Sequence, residues 1–153
     1  MSAFFLIHLL RTDSEWRRIM RWLITTVGLG LLLVSSIFAG EHAALARVTV
    51  YWRSEGSGAN AAWNGAPLHD GHCAVDPKKI PYGSQVMFHD TECLAVDSGP
   101  DVVNRKAARL CGRTAAERSA IVIDRFFETK QKALAWVKAN PHFMVVQVCT
   151  PDT

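Results

Sequence analysis

The sequence predicts a small, mainly β domain of about six short strands with one firm helix before the last of them. Three observations carry this. Short β-branched and aromatic runs recur between residues 48 and 148; Pro and Gly punctuate residues 64 to 84 too closely for a helix; and helical spacing returns in only two places. In chain order, Val48-Thr49-Val50-Tyr51-Trp52 reads as a strand that runs into a long Gly-, Ser-, Ala- and Asn-rich loop at 54 to 65. After Pro67, Gly71, Pro77, Pro81 and Gly83, the next strands fall at 85 to 89 and 93 to 96. Between 101 and 118, Val103, Ala107, Leu110 and Cys111 recur at helical spacing among Arg105, Lys106 and Arg109. That predicts one or two short helices, broken near Gly112, with Thr114 capping the second. Residues 120 to 127 are apolar apart from Asp124 and Arg125, as in a central strand buried on both faces. Thr129 can cap a helix whose buried side is Ala133, Leu134, Trp136 and Val137, and Asn140-Pro141 stops it before a last strand at 142 to 148. Turns this frequent exclude a doubly wound fold.

The amino-terminal third has a different character. Residues 23 to 39 form an apolar run preceded by Arg17, Arg18 and Arg21 and followed by Ala44-Leu45-Ala46, the order of charged, apolar and small-residue regions in a secretory signal. The expected cut follows Ala46, so residues 1 to 46 are the leader, with Met20 as an alternative start, and 47 to 153 a single domain of common size. An uncleaved anchor is the other reading, because a run of about 17 residues approaches the roughly 20 that span a bilayer. Either way the domain is expected outside the cytoplasm, periplasmic or in the cell envelope, and meets a membrane only through that amino-terminal segment.

Seventeen Lys and Arg against 14 Asp and Glu give a net charge of +3, too small and too evenly spread for a nucleic-acid footprint. All four cysteines, Cys73, Cys93, Cys111 and Cys149, lie in the exported part. An even count in an oxidising compartment favours up to two disulfides, with three pairings open; buried free thiols packed as small hydrophobes are the alternative.

Three aspartates end apolar runs: Asp76 in Ala-Val-Asp-Pro, Asp97 in Ala-Val-Asp-Ser-Gly and Asp124 in Ile-Val-Ile-Asp-Arg-Phe-Phe. A carboxylate in such a place must be hydrogen-bonded, exposed at a strand end, or partly protonated, and two or three converging there point to acid/base chemistry. Each also has a structural reading: Asp124 neutralised by Arg125, Asp97 forming a turn through Ser98-Gly99-Pro100, and Asp76 fixing a turn before Pro77. His69, His72 and Cys73 with Asp70 and Asp76 crowd one loop, but their spacing repeats nowhere else, so no metal and no cofactor is expected. Tyr51, Trp52, Trp63 and Tyr82 lie beside polar loops and are candidates to stack on sugar rings, against the default of burial, with Trp63 in the most polar surroundings the leading one and Tyr82 its companion.

These motifs resemble the three-aspartate (3D) domain shared by the lytic transglycosylase A family and bacterial stationary-phase survival proteins. The resemblance covers nearly all of residues 47 to 153. It rests on Val-Thr-Val-Tyr near the start, Asn-Gly-Ala-Pro-Leu at 64 to 68, Ala-Val-Asp-Pro-Lys-Lys-Ile-Pro-Tyr-Gly-Ser at 74 to 84, Ala-Val-Asp-Ser-Gly at 95 to 99 and Ile-Asp-Arg-Phe-Phe at 123 to 127. It implies a six-stranded double-psi β-barrel that cleaves peptidoglycan glycan strands, with Asp124 as catalytic acid/base and Asp97 and Asp76 in support. The chain departs from the family between Asp97 and Asp124, where a basic helical segment replaces a short Gly-rich link containing Ile-Lys-Gly. Lys106 or Arg105 is expected to stand in for the missing lysine, and the insertion to roof the groove.

In a lytic transglycosylase one carboxyl group protonates the glycosidic oxygen and then accepts the proton of the sugar's own C6 hydroxyl. The internal nucleophile has a high effective molarity, so no outside water is needed. The apolar flanks of Asp124 should raise its pKa, as that double role requires. Two rivals are a glycoside hydrolase of the same barrel class, with Asp97 activating a water, and a non-catalytic wall-binding module in the manner of expansin-like barrels, in which the aspartates only order loops.

Overall fold

The computed structural model describes residues 40–55 and 60–151. The expected leader, its alternative start at Met20 and the apolar run from 23 to 39 lie outside the described residues; among the latter, no helix is long and apolar enough to cross a membrane. Six strands close into a mixed barrel: β1 Glu41–Trp52, β2 His72–Ala74, β3 Gln85–Met87, β4 Glu92–Asp97, β5 Ile121–Phe127 and β6 Phe143–Cys149, in the spatial order β1-β5-β2-β4-β3-β6. The β1/β5 and β2/β4 pairs are parallel and the other four antiparallel. Among the described residues four helices complete the domain: α1 Pro100–Val103, α2 Lys106–Cys111, α3 Ala115–Ser119 and α4 Lys130–Ala139. The mainly β architecture with one longer helix before the last strand is as the sequence predicts.

Strand alternation sorts the side chains into two sets. Val48, Cys73, Ala95, Ile123, Val146 and Val148 point into the barrel and form its core. Ala74, Val122 and Ala120 point outward and are covered by Val102 of α1 and Ala108 of α2, so the insertion between β4 and β5 lies against the outer face of the sheet. Two devices fix its geometry. Thr114 and Glu117 form a reciprocal capping box on α3, and Arg105 enters α2 in the left-handed conformation (φ 51°) with its guanidinium donating to the carbonyl of Ser119 at 2.7 Å. α4 starts at the Thr129 cap and stops at Asn140 as expected. Its packing differs from expectation: Ala133 is buried, but Leu134 is 51% exposed and belongs to the outer side.

Ala46, after which the cut is expected, lies within β1, where it is fully buried and pairs with both Ile121 and Met144. The compact unit begins at Gly40. The expected disulfides are corrected. Among the described residues all four cysteines are free thiols: Cys73 and Cys93 buried, Cys111 exposed on α2, Cys149 half-buried at the end of β6. Cys73 lies opposite Ala95 on β4, so Cys93 is its diagonal neighbour in the core, and both pack as small hydrophobes. Burial raises both thiols, Cys93 to about 11. Cys149 sits 3.9 Å from the Met87 sulfur, far along the barrel from α2.

Candidate functional site

The outward face of the sheet carries a polar row built from four strands. Thr49 of β1 lies opposite Asp124 of β5, and Asp124 lies opposite Ala74 of β2. On the other side of Ala74, the β2/β4 register shifts by one residue after Cys73, so that Ala74 faces Asp97 with Val96 as the extra residue. Strict alternation from Ala95 would have turned Asp97 into the barrel; the bulge returns it to the outward face. The two carboxylates thus flank one methyl group, with their backbones two strand spacings, or roughly 10 Å, apart. The Ala74 methyl between them is buried under Val102 and Ala108.

The environments of the two acids differ. Asp124 is largely buried, its Oδ1 has no hydrogen-bond partner, and no cation pairs with it among the described residues. Burial pushes its pKa up to about 6; the neighbouring Thr49 hydroxyl works against that rise, and the charges of Glu55, Asp97 and Asp101 add to it. Asp97 is fully engaged: Tyr51 Oη donates to Oδ2 at 2.9 Å and the Ala62 amide donates to Oδ1 at 3.0 Å. Burial, with the charge of Asp97 and this bond to it, raises the Tyr51 phenol far above its ordinary value, so Tyr51 remains a donor at any physiological pH.

Asp124 opens into a cleft of about 280 Å³ between the sheet and the insertion, bordered by Thr49, Asp101, Lys106 and Leu110. The insertion therefore roofs the cleft, as expected. Lys106 lies at its mouth and pairs with Asp101 at 3.1 Å, both side chains more than half exposed. Such a pair is worth about 0–1 kcal/mol and opens readily. Arg105 is not brought to the cleft, because its guanidinium is held inside the insertion by Ser119. Asp76 is also elsewhere: its Oδ1 accepts from the Lys78 amide at 3.1 Å and its carbonyl from Lys79 and Ile80, which makes it the pin of the turn after β2.

Beyond Asp97, the loop through Ala62 and Trp63 is tied to β4 by the Trp63 amide, which donates to the Val96 carbonyl at 3.0 Å. Trp63, 48% exposed, stacks on Tyr82 with centroids 6.3 Å apart and an interplanar angle of 22°. Gly83, beside this pair, has φ +84°, a left-handed conformation that glycine adopts without strain.

Comparison with protein-family models, curated proteins and solved structures finds no match. The site is therefore judged on its own chemistry. It holds one acid about half protonated near pH 6, a second locked in orientation, a threonine hydroxyl, a lysine at the rim and an aromatic platform beyond. His69 and His72 stack at 3.6 Å, and no group of three metal-ligating side chains occurs among the described residues. Sequence reasoning missed Thr49, Asp101 and Tyr51's bond to Asp97. The first and last were signalled by Val-Thr-Val-Tyr: in a strand at a barrel wall, alternate polar positions share the outer face.

Proposed function

We propose that this protein is an exported peptidoglycan lytic transglycosylase of the three-aspartate type, its closed barrel having the double-psi connectivity implied by the motif resemblance. The observation that carries the reading is the Asp124 carboxyl: largely buried, without a counterion among the described residues and facing a cleft. A carboxyl group with a pKa of about 6 is protonated often enough to act as an acid and ionised often enough to act as a base.

Asp124 donates its proton to the glycosidic oxygen as the bond from that oxygen to C1 breaks. The same carboxylate then takes the proton of the C6 hydroxyl as O6 bonds to C1, closing an anhydro ring and restoring the acid. Asp97, held by Tyr51 and the Ala62 amide, presents negative charge towards the oxocarbenium-like centre and keeps Asp124 from ionising early. Trp63 and Tyr82 stack a neighbouring sugar, and Lys106 can leave Asp101 for a ligand oxygen. Asp76 supports the site only by holding the turn that follows β2. The partner is a glycan strand of the wall, and the apolar run at 23 to 39 provides export or anchoring.

A hydrolase is the second reading, favoured by the two-strand gap at Ala74. Carboxyl groups about 6.5–9.5 Å apart leave room for an attacking water. Digestion of purified sacculi separates these readings by the sugar ends released. Anhydro ends that disappear with Asp124→Asn support the transglycosylase; reducing ends indicate the hydrolase; binding through Trp63 with no release indicates a wall-binding module.

A further inference from the structure

A second cleft of about 450 Å³ lies on the far side of α2, bordered by Arg47, Cys111, Arg113, Glu117, His142 and Phe143. Arg47 is the next outward residue of β1 before Thr49 and pairs with Val122, so this cleft begins one pleat, roughly 6.6 Å, from the Asp124 row. The α2 helix stands between them, with Leu110 facing one cleft and Cys111 the other.

The polar groups here are unevenly matched. Arg47 Nη1 donates to the carbonyls of Val48 and His142 and its guanidinium rests 5.6 Å from the centre of the Phe143 ring, but its Nε is buried with no acceptor. An unmet N–H on a guanidinium costs more than one exposed to water. The Arg113 guanidinium forms no ion pair among the described residues. The one acid among the described residues that border the cleft, Glu117, is turned to nearby backbone: Oε2 accepts from the Arg113 and Thr114 amides at 2.7 and 3.1 Å. Two guanidinium groups against one carboxylate leave a single positive charge, the complement of one carboxylate, and Phe143 and Pro141 supply apolar walls for the group that carries it.

We propose that this cleft binds a carboxylate of an acidic peptide, received by Arg47 and Arg113. On the peptidoglycan reading the source is the acidic peptide borne by the glycan, placed beside the sugar held at Asp124; the anion site itself does not depend on that reading.

The test titrates the purified protein with acetyl-Ala-Glu-amide and with neutral, isosteric acetyl-Ala-Gln-amide, following backbone amide shifts and the alkylation rate of Cys111. The acidic peptide should bind saturably, shift the amides of Arg47, Cys111 and His142, and slow Cys111 alkylation. The neutral peptide and the Arg113→Gln variant should each bind about tenfold more weakly, one charge-assisted bond having been lost. Arg47→Lys, which keeps charge but loses the planar fork, should weaken binding comparably. Arg113 is exposed and forms no ion pair among the described residues, so its replacement leaves folding intact even if Arg47→Lys does not fold. Equal affinity for the two peptides, or indifference to Arg113→Gln, would overturn the proposal; tighter binding of inorganic phosphate at the same amides would overturn the choice of carboxylate. Asp124→Asn should bind the acidic peptide as the wild type does, so failure of the catalytic reading and failure of this one remain distinguishable.

Discussion

Asp124 and Arg125 are adjacent in the chain, yet they face opposite sides of β5. Arg125 Nη1 lies 3.0 Å from Asp90 and its guanidinium stacks among Phe88, Phe127 and Trp136, while Asp124 faces the cleft beneath the insertion. A strand's period of two assigns the nearest cation to another carboxylate and leaves Asp124 without one. The site's chemistry follows from that separation.

Glycan cleavage should fall as pH rises through about 6, where Asp124 loses the proton it must donate. Asp124→Asn should reduce the rate by at least about a hundredfold below about pH 6, the usual worth of a positioned general acid, and the gap should narrow at higher pH as the wild type loses its proton. The check is the rate of sacculus solubilisation between pH 4 and 8 on both proteins.

The same carboxyl should cost stability. Its folded pKa of about 6 exceeds its ordinary 3.8, so the folded state holds the proton more tightly than the unfolded one. Its contribution is therefore most favourable below about pH 4 and declines as pH rises to about 6, a difference of about 3 kcal/mol. Asp124→Asn should be more stable than the wild type at pH 7 and no more stable near pH 3, as measured by denaturant unfolding at both values.

Removing Asp90 leaves a buried guanidinium uncompensated and the Trp136 indole N–H, now 2.9 Å from Asp90 Oδ2, without its acceptor. Asp90→Ala should destabilise the domain by about 3 kcal/mol, the low end for a broken buried pair because Asp90 is itself partly exposed. Loss of the constrained indole should show in Trp fluorescence before global unfolding.

A chain beginning at Gly40 should fold, whereas one beginning at Arg47 should not, because six of the seven β1/β6 register pairs lie at 41 to 46. If the leader is removed in the cell, the mature terminus should lie at or before Glu41. Terminal sequencing of the protein isolated from cells and circular dichroism of the two chains are the measurements.

The strand and helix pattern was legible because β-branched runs, Thr caps and the Asn140-Pro141 stop are local signals. Three residues of β2 were not, since His72-Cys73-Ala74 is too short to show alternation and is a strand only through its neighbours on both sides. Asp97 and Asp124 were singled out because each ended an apolar run, but their meeting depends on a bulge at Val96 that no local pattern announces. Cys73 and Cys93 misled for the opposite reason. Count and compartment favour bridges, whereas core packing gives the two thiols an apolar role. Without reduction, the unfolded protein should titrate four thiols, and the native protein chiefly Cys111.

The most direct measurement is an NMR titration of the Asp124 side-chain carboxyl carbon in the folded protein. A midpoint near 6 that shifts downward when Asp97 is replaced by Asn accords with an uncompensated acid in a shared cleft. A midpoint in the ordinary aspartate range, unmoved by that replacement, would contradict it.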